Sequence, residues 1–147
     1  MGLLNHVGIT VGNLQRSIAF YTSLGFGEPP ADWVFTIQGD WLSKLVAEED
    51  AVIDVAFLTM DDGTVLELLE YRTPEGRKTN DRPNRDVGAM HIALNVDDVR
   101  ALYERLKDTV VFNSEPQVVP SGPWAGNIVA YLRDPDGTPV ELVQDVQ

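Results

Sequence analysis

Asp62-Gly63-Thr64-Val65-Leu66-Glu67-Leu68 returns near the end of the chain as Asp136-Gly137-Thr138-Pro139-Val140-Glu141-Leu142. A second repeat accompanies it, Asn5-His6-Val7-Gly8-Ile9-Thr10-Val11 and Met90-His91-Ile92-Ala93-Leu94-Asn95-Val96. The chain has only two histidines, and both fall at the same position of this second repeat. It therefore reads as two modules, each opening with a histidine strand and closing with a glutamate strand. Ligand-type side chains placed twice over by one repeat point to a single metal centre.

The segments between the repeats fit this division. Leu4 to Val11 alternates as a strand, with His6, Gly8 and Thr10 on one face and Val7, Ile9 and Val11 on the other. Asn13 caps a helix that carries Leu14, Ile18 and Tyr21 to the core and stops at Gly25. Val34 to Gln38 and Val52 to Met60 read as strands, with a short helix over Asp40 to Ala47 between them. Asp61-Asp62-Gly63 is a hairpin turn into a strand over Val65 to Tyr71. The second module repeats the order. A strand spans Met90 to Val96, and a helix capped by Asp97 presents Val99, Leu102 and Leu106. Strand fragments follow at Val110 to Phe112 and Gln117 to Val119. A closing hairpin joins Asn127–Leu132 to Thr138–Gln144 around Asp134-Pro135-Asp136-Gly137. Each module is β-α-β-β-β.

Composition bounds the partners. The 147 residues make one domain of two modules, about 1–71 and 88–147, joined by a polar linker over about 72–87. The net charge of −12 disfavours nucleic acid and anionic membrane surfaces, which are themselves polyanions. The absence of cysteine excludes a disulfide framework and a thiol nucleophile. No apolar run suggests a membrane span, and the opening Met1-Gly2-Leu3-Leu4 lacks a charged leader head, so a cytoplasmic location is expected. The linker holds Arg72, Arg77, Lys78, Arg82 and Arg85, five of the 11 basic residues. Such a segment is ordinarily solvated. The clustering of charge also suits a flap that holds an anionic substrate tail.

His6, Glu67, His91 and Glu141 are the candidate metal ligands. Side chains alternate along a strand, so ligands on neighbouring strands can converge on one face of a curved sheet. Two imidazoles and two carboxylates make a hard-to-borderline donor set. On an octahedral metal they leave two positions for water or a chelating substrate. Glu67 lies among Val65, Leu66, Leu68 and Leu69, and Glu141 among Val140, Leu142 and Val143. A carboxylate in such a setting needs a cationic partner.

The stretches His6–Val11, Leu14 with Ser17–Tyr21, and Leu24-Gly25-Phe26 resemble the vicinal oxygen chelate superfamily. Met90–Asp98 and Asp134–Leu142 carry the same resemblance in the second module. That group includes glyoxalase I, methylmalonyl-CoA epimerase, extradiol dioxygenases, and the fosfomycin and bleomycin resistance proteins. The resemblance implies an α+β fold in which two βαβββ modules form a cupped, half-open eight-stranded barrel around one divalent metal (Ni, Co, Zn, Mn or Fe). It implies a homodimer and a small-molecule substrate. His6, Glu67, His91 and Glu141 match the His/Glu/His/Glu set of glyoxalase I. The chain departs from bacterial glyoxalase I at Thr10, where that family has a glutathione-holding arginine. It departs from methylmalonyl-CoA epimerase at Met90, where that family places a further histidine.

The chemistry implied is proton abstraction beside a carbonyl, with the resulting enolate stabilised by the metal. Glu141 and Glu67 are the candidate bases, Glu141 the first choice. The expected activity is that of a metal-dependent lyase or isomerase on a 2-oxo or thioester compound. The alternatives are a drug- or natural-product-binding resistance protein and an Fe(II) extradiol-type dioxygenase. Trp41, Phe57, Leu69, Tyr71 and Trp124 are the expected substrate-lining residues, with Phe35 and Leu45 beside them. Trp124 sits in a loop, Ser121–Gly126, that reads as a rim element.

Overall fold

The computed structural model describes residues 2–146. Met1 and Gln147, the outermost residues of the expected domain, lie outside the described residues. The elements run β1 (Val7–Thr10), α1 (Leu14–Ser23), a 3-10 turn (Ala31–Trp33), β2 (Val34–Gln38), α2 (Asp40–Val46), β3 (Val52–Thr59) and β4 (Val65–Thr73). The second set is β5 (Ile92–Asn95), α3 (Val99–Leu106), β6 (Gln117–Val118), β7 (Ile128–Arg133) and β8 (Pro139–Gln144). They form two four-stranded sheets, ordered β1-β4-β3-β2 and β5-β8-β7-β6. The α+β class and the repeated βαβββ module are thus as expected. The chain divides into two compact units, one up to Thr79 and one from Asn80.

In the first unit β1 pairs parallel with β4, and the remaining neighbours are antiparallel. The helix α1 provides the crossover that a parallel pair requires. Asn13 Oδ1 accepts from the Arg16 backbone N–H at 2.9 Å and caps this helix. Leu14, Ile18 and Tyr21 are buried on it, as is Leu24 just beyond, together with Leu58, Leu66 and Leu68 of the sheet. The opposite sheet face is partly covered by α2. There Leu42 joins Ile53 and Val55, with Phe57, Leu69 and Tyr71 packed at the margin.

The second unit repeats the plan. β5 pairs parallel with β8, and Val99, Leu94, Leu132, Val140 and Leu142 are buried. The closing turns of the two modules match. Gly63 N–H bonds to Met60 O and Gly137 N–H to Asp134 O, with φ of +87° and +95°. Gly137 is doubly constrained, because a Cβ there would come within 2.2 Å of the Asn80 carbonyl oxygen.

Several expected boundaries shift. The α3 cap is Asp98, whose Oδ1 accepts from Ala101 N–H at 2.9 Å, and not Asp97. Asp98 occupies the same repeat position as Asn13, a correspondence the two adjacent aspartates hid. β1 and β5 are shorter than expected, so His6 and His91 each stand just before their strand. The stretch Val110 to Phe112 reduces to one bridge, Phe112 to Leu132. β4 runs on to Thr73, which makes Arg72 a strand residue. Its Nε bonds to Asp54 Oδ2 at 2.6 Å, and its Nη1 lies 3.8 Å from Glu70 Oε1. Among the described residues no helix is long and apolar enough to cross a membrane.

Glu70 is a buried carboxylate with a structural task. Its Oε2 accepts from Leu14 N–H at 2.7 Å, at the N-terminus of α1. Gln144 does the same in the second unit, accepting from Val99 N–H at 3.1 Å. The last strand of each module thus holds the start of its crossover helix. Glu70→Ala leaves that N–H unsatisfied and is expected to destabilise by about 1–3 kcal/mol. Glu70→Gln, which copies Gln144, should cost clearly less. Urea unfolding of the two variants checks this, and equal losses would refute it.

The Asp54 carboxyl is held below the ordinary range, chiefly by the hydrogen bond from Thr36, against a partial burial that acts the other way and with Arg72 assisting. A depressed carboxylate stabilises the fold above its unfolded pKa and loses that contribution as pH falls through its folded value. Thr36→Val should therefore be less stable than the native chain at neutral pH. The gap should close in acid, below about pH 4. Thermal melts across that range provide the measurement.

Candidate active site

The parallel registers place the functional side chains. In the first unit Gly8 pairs with Glu67 on β4, and Phe57 of β3 stands opposite Glu67 on the other side. In the second unit Ala93 pairs with Glu141, and Tyr131 stands opposite. Glu67, Leu69 and Tyr71 share one face of β4, and the alternating burial turns Leu66, Leu68 and Glu70 to the other. That second face carries α1.

Each histidine meets the glutamate of its own module. His6 Nε2 lies 3.1 Å from Glu67 Oε2, and His91 Nε2 lies 3.2 Å from Glu141 Oε2. Both carboxylates are about one-fifth exposed. Among the described residues no group of three or more His, Asp or Glu side chains is gathered around one point; each unit contributes a pair.

His6 Nδ1 donates to Asn5 Oδ1 at 2.7 Å. In the neutral ring this leaves a lone pair on Nε2, facing a carboxylate. Two such donors at 3.1 Å are held comfortably only with a cation beside them, either a proton or a metal. Two ligands of a divalent metal at about 2.1 Å and roughly at right angles would lie about 3 Å apart. Both pairs have that spacing and the N/O donor chemistry a divalent cation takes. The fit is good, and Asn5 supplies the orienting hydrogen bond that ligating histidines usually have.

The surroundings of the two pairs differ. Phe57 contacts the His6 ring edge-on at 6.3 Å between centroids, and Trp33 and Phe35 flank Phe57 at 6.4 and 6.2 Å. The first pair thus sits in an aromatic corner. The second has a hydroxyl. Tyr131 donates to Glu141 Oε2 at 3.3 Å, and its oxygen lies 3.0 Å from His91 Nε2. Partial burial and the neighbouring Glu141 raise the Tyr131 phenol above its ordinary pKa, which keeps the donor protonated. Tyr71 is raised similarly, by burial first and then by Glu48 and Glu67.

The expected lining residues fall into two groups. Phe57, Leu69 and Tyr71 share the Glu67 face of the first sheet. Trp41 opens α2 and is 58% exposed, and Trp124 is 71% exposed in its loop. Phe35 is exposed on β2 beside Phe57, and Leu45 is exposed on α2. Of the linker cations, Arg77 and Lys78 line a cavity of about 480 Å³ with Thr10 and Tyr71, but Glu48 and Glu75 line it too. The sequence reading did not single out Asn5, Trp33, Glu70 or Tyr131. Laying the modules over one another would have found Tyr131, because it and Phe57 occupy one repeat position beside the two glutamates.

The chain belongs to the Glyoxalase/Bleomycin resistance protein/Dioxygenase superfamily, whose sequence profile it matches over residues 3–142. It is 34% identical to a 2-epi-5-epi-valiolone epimerase from Actinomyces sp., over 95% of this chain and 78% of that one. It is 29% identical to the lactoylglutathione lyase of Salmonella typhimurium, over 96% of this chain and 91% of the lyase. A solved glyoxalase family protein from Bacillus cereus shares the fold at a TM-score of 0.82 and 20% identity, covering 98% of this chain and 94% of its own.

The exposure of Trp41 and Trp124 has a direct consequence. If each ring is solvated in the free protein, Trp41→Ala and Trp124→Ala should each change stability by no more than about 0.5 kcal/mol. A larger loss in chemical denaturation would mean that the ring is covered in solution.

Proposed function

We propose that the protein is a divalent-metal-dependent epimerase that inverts a carbon beside the carbonyl of a small ketone. His6, Glu67, His91 and Glu141 would hold the cation, one His–Glu pair from each module, in a homodimeric enzyme. The observation that carries this reading is the duplicated His–Glu pair at a spacing suited to two ligands of one cation. The similarity to an epimerase whose substrate name denotes a ketone supports the reaction class. Thr10, in place of a glutathione-holding arginine, weighs against a glutathione adduct as substrate.

A divalent cation at these donors supplies Lewis-acid stabilisation of the charge that develops on the carbonyl oxygen. The protein's own groups handle the proton. A glutamate carboxylate takes the proton from the carbon beside the carbonyl, and the electron pair moves into an enolate. Return of a proton to the opposite face restores the ketone with the centre inverted, so no oxidant or reductant is consumed. Two carboxylates, Glu67 and Glu141, suit a reaction that removes and replaces a proton on different faces. Trp33, Phe35 and Phe57 offer an apolar wall against which the C–H face of a ring can stack.

Elemental analysis of tag-free protein is the test, together with a His6→Ala/His91→Ala variant. About one transition-metal ion per chain is expected in the native protein, and none in the variant. The metal-loaded protein should also incorporate solvent deuterium into a small ketone at the carbon beside its carbonyl. A native protein that neither contains nor takes up Ni, Co, Mn, Fe or Zn would exclude this function.

A further inference from the structure

The two His–Glu pairs are not equivalent, and two substitutions between the modules account for it. The first is opposite the glutamate, where the first unit has Phe57 and the second has Tyr131. The second is beside it in the parallel strand, where the first unit has Gly8 and the second has Ala93. Around Glu141, then, there is a hydroxyl 3.3 Å from the carboxylate and a methyl at the adjoining register position. Around Glu67 there is an apolar ring and no side chain on Gly8. A Cβ on Gly8 would come to 3.3 Å from Glu67 Oε2, closer than most such contacts allow.

Resting on the metal-enzyme reading above, we propose that Tyr131 is a positioning residue for the second pair and that Glu67 is the carboxylate free to move the proton. Tyr131 has one hydroxyl proton and gives it to Glu141 Oε2. A carboxylate that spends one oxygen on this bond keeps its orientation when it ligates. The Tyr131 ring, its centroid 5.1 Å from that of the His91 imidazole, packs against that histidine and limits its rotamers. Glu67 has neither restraint. It meets His6 and the edge of an aromatic corner and fills the room a side chain on Gly8 would take, so it can swing without breaking a second hydrogen bond. A ligating carboxylate that also takes a proton must exchange its partner for the substrate, and one already bonded to Tyr131 gives up more in doing so. The assignment therefore follows from which carboxylate is tied.

The experiment compares native protein with Tyr131→Phe, Glu67→Gln and Glu141→Gln, using cobalt(II) as the probe. Affinity is measured by chelator competition and geometry by the visible spectrum. Tyr131→Phe should weaken cobalt binding by about 10- to 100-fold, the usual consequence of losing an outer-shell partner, and should shift the visible bands. Glu141→Gln should lose more affinity than Glu67→Gln. In metal-free, 15N-histidine-labelled protein, Tyr131→Phe should move the ring-nitrogen signals of His91 and leave those of His6 in place. Native protein that binds cobalt, with Tyr131→Phe matching it in affinity and spectrum, would overturn this inference alone. So would a Glu67→Gln loss as large as that of Glu141→Gln, or His6 signals that move as far as those of His91. Native protein that takes up no cobalt would overturn the metal reading and this inference with it.

Discussion

The parallel pairing of the first and last strand of each module is the constraint on which the rest depends. A hairpin cannot join parallel neighbours, so the chain must cross over, and in each unit the crossover begins with a helix. The same pairing sets Gly8 beside Glu67 and Ala93 beside Glu141. The histidine preceding each first strand is thereby brought to the glutamate of the last. Slipping either register by one residue would send the glutamate to the helix-covered face, away from its histidine. Fold and site are specified by one set of hydrogen bonds.

That register needs its own support, since four-residue strands such as β1 and β5 hold few ladder bonds. The support is visible at the helix starts. Leu14 N–H ends on Glu70, and Val99 N–H ends on Gln144. Beyond each first strand one more backbone bond follows, Val11 to Leu69 and Val96 to Val143. Each last strand therefore grips both the first strand and the helix after it. A polar side chain on the otherwise apolar helix-facing side of β4 and β8 is explained by this grip. Glu70 is ionic and reinforced by Arg72, whereas Gln144 is neutral.

How much of this was legible in the sequence depended on whether the cause was local. The module order, the short α2, the Asn13 cap and both glycine turns were readable, because alternation, capping and positive-φ turns leave marks within a few residues. The Asp97/Asp98 cap was misjudged because either residue can cap and only the geometry chooses. Arg72 looked like linker because its composition is polar. Its place in β4 is fixed by Asp54, eighteen residues earlier in sequence, in a hydrogen bond no local pattern shows. Glu67 and Glu141 were readable as polar residues breaking apolar strands. Glu70 has the same appearance from the sequence and a different task, and only the face it points to separates them.

The divergence of the modules is as informative as their repetition. Two copies of one unit begin alike, and two like carboxylates have no reason to divide the labour of holding and moving. Two differences between the modules fall at the register neighbours of the glutamates. Phe57 against Tyr131 and Gly8 against Ala93 lie directly against them. Both differences point the same way, giving Glu141 a hydrogen bond and an adjoining methyl that Glu67 lacks. Two independent changes that agree in sign, at the two register neighbours of one residue type, are hard to reconcile with drift on a solvated sheet. They fit a pair in which one carboxylate is anchored so that the other need not be.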